Sequence, residues 1–380
     1  MAKLKTDWIL FGAILAMTAF GLVVLYSASS VVAELRYHFE PYHFFVRQLA
    51  WAAVSFPILM YFKRFDYRRL NTPAWAFSGL GIVLGLLVVV YFVDPKAHRW
   101  FRIPGLGSLQ PSEFAKPVLI LFLAYFVARR AHAINDKRVL RQAFVAVAML
   151  GCLVVVADLG TALVPVITAV VVFWIAGLER RYLWRVAAIG MAFIVIAICS
   201  KGYRLGRVIN YVDPEYRVIE TFDRWGIIRA YVQNSTAARD GGYQSRQSKI
   251  AVGTGGVLGV GLMQGKQKLM FLPDAHTDFI YATVGEELGL WGTSAVLAGF
   301  LVILWRGVRL FLLAREDFGK YLALGVTVSI VVQALINISV VLDMVPTKGF
   351  PLPMISFGGS SLLSTLASMG MLLSVSEHEG

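Results

Sequence analysis

The chain alternates between long apolar runs and short charged interruptions. Ten runs reach or approach the roughly 20 apolar residues that a helix needs to cross a bilayer. They lie at about 8–28, 43–62, 73–93, 111–128, 142–157, 159–177, 182–200, 279–304, 320–342 and 354–375. Several contain Gly, Pro or a charge, which membrane helices tolerate when neighbours satisfy the freed backbone groups. The first run, from Trp8 to about Tyr26, is longer than the roughly 7–15 residue core of a signal peptide and reads as a retained span. The pattern predicts an all-α polytopic membrane protein with ten transmembrane helices in a single integral membrane domain, 1–380. One segment breaks the rhythm: 201–277, between the seventh and eighth spans, is too long for a structureless connection. It is expected to be functional or partly folded.

Charge orients this pattern. Of the 380 residues, 58% are hydrophobic and only 16% charged, unlike a soluble domain. A net charge of +13 on a soluble protein would suggest nucleic acid. Here the basic residues sit in short loops, so topology is the simpler cause and no nucleic-acid partner is expected. One set of loops carries Lys63, Arg64, Arg68 and Arg69, then Arg129, Arg130, Lys137, Arg138 and Arg141, then Arg180, Arg181 and Arg185, then Arg306, Arg309, Arg315 and Lys320. The alternate short loops carry few. The positive-inside rule therefore predicts cytoplasmic N and C termini and a large extracytoplasmic loop between helices 7 and 8. Cys152 and Cys199 lie in apolar runs and form no disulfide framework or CxxC metal pattern.

Against that background a few polar groups stand out, because ionisable residues at membrane depth are costly and mark function by default. Asp278, in Phe271-Leu-Pro-Asp-Ala-His-Thr-Asp-Phe279 just before the eighth span, is the leading candidate. Either Thr277 or Asp278 caps that helix, or Asp278 is a general base at the membrane edge. His276 has no second His at ligand spacing, so a structural hydrogen bond outranks metal ligation. Glu286 and Glu287 are adjacent and cannot share one helix face, so one of them is expected to pair inside the bundle. Glu113 and Lys116, three apart, share a face and read either as a structural ion pair or as substrate contacts. Asp158, in Asp158-Leu-Gly-Thr161, is a turn cap or a buried acid of the same cavity. Arg99 and Arg102 face an anionic ligand or lipid phosphate. Glycines 253, 255, 256, 259, 261 and 265 would let backbone approach a ligand, with Lys266 and Lys268 beside them, although no Walker spacing follows. Lys348 is a candidate anion contact in the last outer loop, and Ser360 lies just beyond it.

Taken in order, several of these stretches resemble the SEDS family of bacterial cell-wall proteins, which includes FtsW, RodA and SpoVE. The resemblance rests on Tyr26-Ser-Ala-Ser29, Arg99-Trp100, Gln110-Pro-Ser-Glu-Phe-Ala-Lys116, Asp158-Leu-Gly-Thr161, the glycine-rich stretch, His276-Thr-Asp-Phe279, Gly285-Glu-Glu-Leu-Gly289 and Pro351-Leu-Pro through Gly358-Gly-Ser-Ser361. Pro346-Thr-Lys-Gly349 is closer to FtsW than to RodA. The chain departs from the family at Val156-Ala157, where Gln-Pro is usual. It departs again at an insertion of about two dozen residues, 216–240, read as an amphipathic interfacial helix.

The resemblance implies a peptidoglycan glycosyltransferase of the bacterial cytoplasmic (inner) membrane, acting in division or elongation. It would polymerise lipid II, with inversion and undecaprenyl pyrophosphate as leaving group. Asp278 would be the essential catalytic carboxylate. Arg99, Lys116, Glu113, Asp158, Lys266, Lys268, His276, Lys348 and Ser360 would be substrate contacts. A divalent cation, Mg or Mn, could be held by Asp278 or Asp158. The implied partners are lipid II, membrane lipid, a class B penicillin-binding transpeptidase, and divisome or elongasome membrane proteins. Two rivals remain at this level: a lipid II flippase, which ten spans and intramembrane charges would suit, and a non-catalytic scaffold recruiting a transpeptidase.

Overall fold

The structure is a computed structural model that describes residues 6–94, 98–103, 107–157, 159–213, 223, 236–269 and 271–379. Among these residues it is almost entirely helical. The helices are α1 (Trp8–Tyr37), α2 (His43–Arg64), α3 (Pro73–Val93), α4 (Pro111–Arg130), α5 (Lys137–Ala157), α6 (Leu159–Ile175), α7 (Arg180–Cys199), α8 (Gly202–Val212), α9 (Thr236–Gly255), α10 (Ile280–Leu313), α11 (Asp317–Val341) and α12 (Gly359–His378). A small antiparallel hairpin pairs Phe101–Ile103 with Gly107–Leu109 ahead of α4. Nine of the described helices are long and apolar enough to cross a membrane. The tenth expected span, α6, has 17 residues, about 25 Å of helix against a ~30 Å hydrocarbon core. Of the expected insertion, 216–222 and 224–235 lie outside the described residues, and 236–240 opens α9.

Helices α4, α11 and α12 are the most buried and form the centre. One apolar cluster joins α1, α10, α11 and α12, through residues such as Leu25, Phe300, Ile330 and Leu372. A second joins α3, α4, α5 and α6, through Leu80, Phe122, Leu150 and Val172. The outward faces carry exposed Ile82, Phe92, Trp184, Ile196 and Leu312. Apolar residues facing out around a bundle whose buried side carries polar groups are what lipid, rather than water, requires. Small residues bring helices close: a Cβ on Gly370 of α12 would lie 2.6 Å from the carbonyl oxygen of Leu59 in α2.

Polar contacts gather the connections at two ends. At one end Asp7 caps α1, accepting from the Leu10 N–H at 3.0 Å, and pairs with Arg306 at 2.6 Å. There too Arg68 pairs with Glu316, Lys63 with Glu377, and Glu379 accepts from Tyr67 and from the Arg315 N–H. At the other end are the hairpin, the 256–279 loop and the 342–358 loop. The 17-residue α6, the 34-residue α10 and the late start of α12 at Gly359 are the main departures from the hydropathy reading.

Helix α10 is about 51 Å long, more than one span needs, and it is broken. Gly289 takes φ 63°, ψ −154° inside it. The freed carbonyls of Glu286 and Glu287 accept from the N–H groups of Val260 and Gly261, both at 3.0 Å, and the Leu290 N–H donates to Gly256. The glycine-rich stretch therefore lies against a helix backbone. A Cβ on Gly255 would overlap Gly285 and Glu286, and one on Gly259, at φ 80°, would overlap Glu287. The expectation that these glycines serve a ligand is corrected: they serve α10. A left-handed conformation and a backbone overlap together should cost roughly 2–4 kcal/mol. Gly259→Ala is thus expected to lower the thermal midpoint in detergent by many degrees. Gly253→Ala, with nothing within 4 Å of its Cβ, is expected to be neutral or slightly stabilising; equal midpoints for the two would refute the docking.

Candidate active site

The site is built where the loop before α10 meets the loop before α12. The Phe357 N–H donates to the carbonyl of His276 at 3.1 Å, and the Ser356 hydroxyl donates to the carbonyl of Thr277 at 2.5 Å. From α11, the Asn337 side-chain amide donates to the carbonyls of Asp278 at 2.8 Å and Phe350 at 2.5 Å. Gln333, one turn earlier on the same face, donates to the carbonyl of Pro351 at 2.8 Å and accepts from Lys116 at 2.7 Å. Lys116 pairs in turn with Glu113 at 2.7 Å. A buried polar relay thus runs from α4 through α11 to both loops. It satisfies backbone groups that would otherwise be stranded in a low-dielectric setting.

Asp278 sits at the end of this relay, half-buried. Its carboxylate lies beside Gly349, and a Cβ on that glycine would overlap its Oδ2. The residue flanking α10 is Phe279, whose side chain makes no cap hydrogen bond. Lys348, also half-buried, directly precedes Gly349.

The other candidates separate into distinct places. Lys268 is 2% exposed and pairs with Glu287, 1% exposed, at 2.6 Å, while Ser27 of α1 bonds to both. Its expected role as a substrate cation is corrected: a buried carboxylate consumes its charge. Glu286 accepts from the backbone N–H groups of Lys266 and Gln267 at 2.7 and 3.2 Å. Both adjacent acids are thus used inside the protein, on different partners. The side chain of Lys266 is exposed. Glu113 and Lys116 line a crevice with Thr161, Phe350 and Pro351 that has no room for a water molecule, so the structural ion pair is the reading the geometry adopts. Ser360 is buried, accepting from the Gln110 N–H at 2.9 Å and donating to the Ser108 carbonyl, which places it as a link between α12 and the hairpin. Arg99 is half-buried where its own N–H and that of Trp100 donate to the buried carboxylate of Asp94. Asp158 lies outside the described residues.

His276 is buried against Phe44 and Phe357, with ring centroids 4.8 and 6.0 Å away. Its Nδ1 has no hydrogen-bond partner among the described residues. Burial pushes its pKa down to about 4, outweighing the opposing effect of Asp274, so the ring is neutral. It braces the loop carrying Asp278 as a packed aromatic.

Sequence reasoning gave Ser27 no role beyond its place in the Tyr26-Ser-Ala-Ser29 stretch and passed over Gln333 and Asn337. The last two were legible in principle: an amide pair spaced by four puts two strong hydrogen-bonding groups on one face of an otherwise apolar span.

The fold and site define a polytopic membrane protein with an acidic residue held by a buried polar relay at one end of the bundle. Residues 7–380 match the FtsW/RodA/SpoVE family, described as "Cell cycle protein", and the chain belongs to that family. It is 35% identical to "Probable peptidoglycan glycosyltransferase FtsW" of Geobacter sulfurreducens, over 98% of this chain and 95% of that one. It is 34% identical to "Stage V sporulation protein E" of Bacillus subtilis, over 99% and 98%. Among solved structures, it resembles a chain described under "Structural coordination of polymerization and crosslinking by a peptidoglycan synthase complex". That match has a TM-score of 0.70 and 26% identity, over 98% and 97% of the two chains. Rod shape determining protein RodA of Thermus thermophilus matches with a TM-score of 0.64 and 25% identity, over 98% and 97%.

Two outcomes follow from this geometry. Lys268→Met strands the buried Glu287 carboxylate and should cost about 3–5 kcal/mol, whereas the double change Lys268→Met/Glu287→Leu should recover most of it. Thermal midpoints in detergent would check this, and a double variant no better than the single would contradict it. The second concerns acid. His276 is neutral in the folded protein, while its unfolded pKa is about 6.5. Its contribution is therefore intact above pH 6.5 and is lost as pH falls towards 4, by up to about 3 kcal/mol. His276→Phe should flatten the decline of the thermal midpoint over that window; an unchanged decline would contradict the assignment.

Proposed function

We propose that this protein is a peptidoglycan glycosyltransferase that polymerises lipid II at the outer face of the bacterial cytoplasmic membrane. The site end of the bundle faces out, both termini face the cytoplasm, and α6 serves as the short tenth span. The loop charge asymmetry supports that orientation. The observation that carries the reading is the placement of Asp278. Glu113, Glu286 and Glu287 are each buried, 3% exposed or less. Asp278 instead is half-buried on a braced loop at the bundle's end.

The chemistry needs such a group. The 4-hydroxyl of a GlcNAc attacks the anomeric carbon of the growing chain. A new C–O bond forms as the bond to the diphosphate breaks, the diphosphate leaves with the electron pair, and the hydroxyl proton goes to Asp278. A sugar hydroxyl is a weak nucleophile, and a positioned base contributes roughly 10²–10⁴-fold. The bracing by Asn337 and Ser356 holds the carboxylate in register with the acceptor, which is where positioned catalysis gains most. Lys348, Arg99 and exposed Lys266 are the candidates to stabilise the departing negative charge. A divalent cation, held by Asp278 or Asp158, would share that task; Asp158 lies outside the described residues. A class B penicillin-binding transpeptidase is the partner, a reading supported by the similarity to a chain of a peptidoglycan synthase complex.

Asp278→Asn should leave expression and thermal midpoint close to wild type and reduce glycan polymerisation from labelled lipid II by about 10²–10⁴-fold. Glycan strands made by the variant at the wild-type rate would refute the assignment. Lipid II transfer into liposomes without strand synthesis by the wild type would instead indicate a flippase.

A further inference from the structure

A second polar feature lies beside this site. A cleft of about 440 Å³ opens between α8, α9 and the start of the 342–358 loop. Arg207, Arg246 and Lys249 line it, with Asp343 as its only acid among the described lining residues. Asp343 is already engaged, by Lys249 at 2.6 Å and by the hydroxyl of Ser245. It holds a left-handed conformation, φ 57°, where Gly is the usual residue. That clamp fixes one wall of the cleft and leaves two positive charges in excess, three cations against one acid.

The donors on the opposite wall are not used up. Arg207 is half-buried, and its Nη1 makes one long bond, 3.4 Å, to the carbonyl of Thr347. Its Nε is buried with no partner among the described residues. A guanidinium is planar and carries five N–H donors in a fixed fork, which suits phosphate oxygens. Leaving one such donor buried and unbonded costs free energy that a ligand would recover. Arg246 is exposed at the rim.

We propose that this cleft binds a phosphate-ester anion carried on a membrane lipid, with Arg207 and Arg246 as its principal ligands. Thr347 lines the cleft and Gly349 touches the Asp278 carboxylate. Two residues span at most about 7 Å, so the cleft and the acid share one wall. A diphosphate seated in the cleft would bring its attached sugar towards Asp278. This deepens the proposed function and rests on it for the identity of the sugar, but the anion site itself stands on the cleft.

The test separates the two. Full-length protein in nanodiscs is titrated with farnesyl diphosphate and with inorganic diphosphate, reading thermal stabilisation. A parallel series raises the phosphatidylglycerol content of a phosphatidylcholine nanodisc. Wild type and Asp278→Asn should bind farnesyl diphosphate equally. Arg207→Gln/Arg246→Gln should bind it at least about tenfold more weakly, with weaker binding at higher salt. Competition by phosphatidylglycerol would assign the site to a phospholipid headgroup; its absence would assign it to a polyprenyl diphosphate. Arg246→Gln alone, at an exposed position, serves if the double variant does not fold. Unchanged affinity in the folded variants overturns the proposal, whereas loss of polymerisation with binding intact bears only on the catalytic reading.

Discussion

A charge placed inside an apolar bundle must find its opposite there, because water is not available to solvate it. The Lys268–Glu287 pair, closed by Ser27, meets that demand and organises its surroundings in doing so. It joins three segments far apart in sequence: α1, the turn after the glycine-rich stretch, and the broken helix α10. The break at Gly289 and the glycines that dock on it are the backbone counterpart of the same constraint. Once the helix is interrupted, Val260 and Gly261 must supply the N–H groups that the helix no longer provides. The acid and the glycines are parts of one solution.

The relay from Glu113 and Lys116 through Gln333 to Pro351 works in the same way at the other side of the centre. Together the two assemblies leave the loops around Asp278 little freedom to shift. In the role proposed for it, Asp278 must hold its position relative to the attacking hydroxyl, and a loop gains that precision only from supports beyond itself. Asn337 supplies the nearest support, bonding one loop by the carbonyl of Asp278 and the other by that of Phe350. Replacing it would loosen both at once, so its effect on turnover should exceed its effect on stability.

Hydropathy alone located the nine described helices long and apolar enough to cross a membrane, and the shorter apolar α6, because lipid imposes a long uniform run that few other constraints imitate. Their ends were less legible. Helix α12 begins at Gly359 rather than near 354 because residues 351–358 are drawn into hydrogen bonds with Gln333, His276 and Gln48. Asp278 was legible as an acid at the edge of an apolar span. Lys268 was misread because sequence shows a charge but not its partner: Glu287 lies nineteen residues away and Ser27 on another helix. Arg207, Arg246 and Lys249 went unremarked for a related reason. They sit in a long polar segment rich in Lys and Arg, where nothing in the local pattern distinguishes a cleft-lining side chain from a solvated one.

Gly349 shows why the last outer loop is written as it is. Three demands meet there within seven residues: Asp343 clamps α9, Thr347 receives Arg207, and Gly349 lies against the Asp278 carboxylate. Any side chain at 349 would occupy the volume of Oδ2, forcing the acid to rotate or the loop to lift. Lifting the loop would strain the Arg207 and Asp343 contacts, and rotating the acid would move it from the position its braced backbone sets. A shift at this glycine therefore cannot be absorbed locally. The anion cleft and the acid are coupled mechanically through one short stretch of backbone, before any ligand binds.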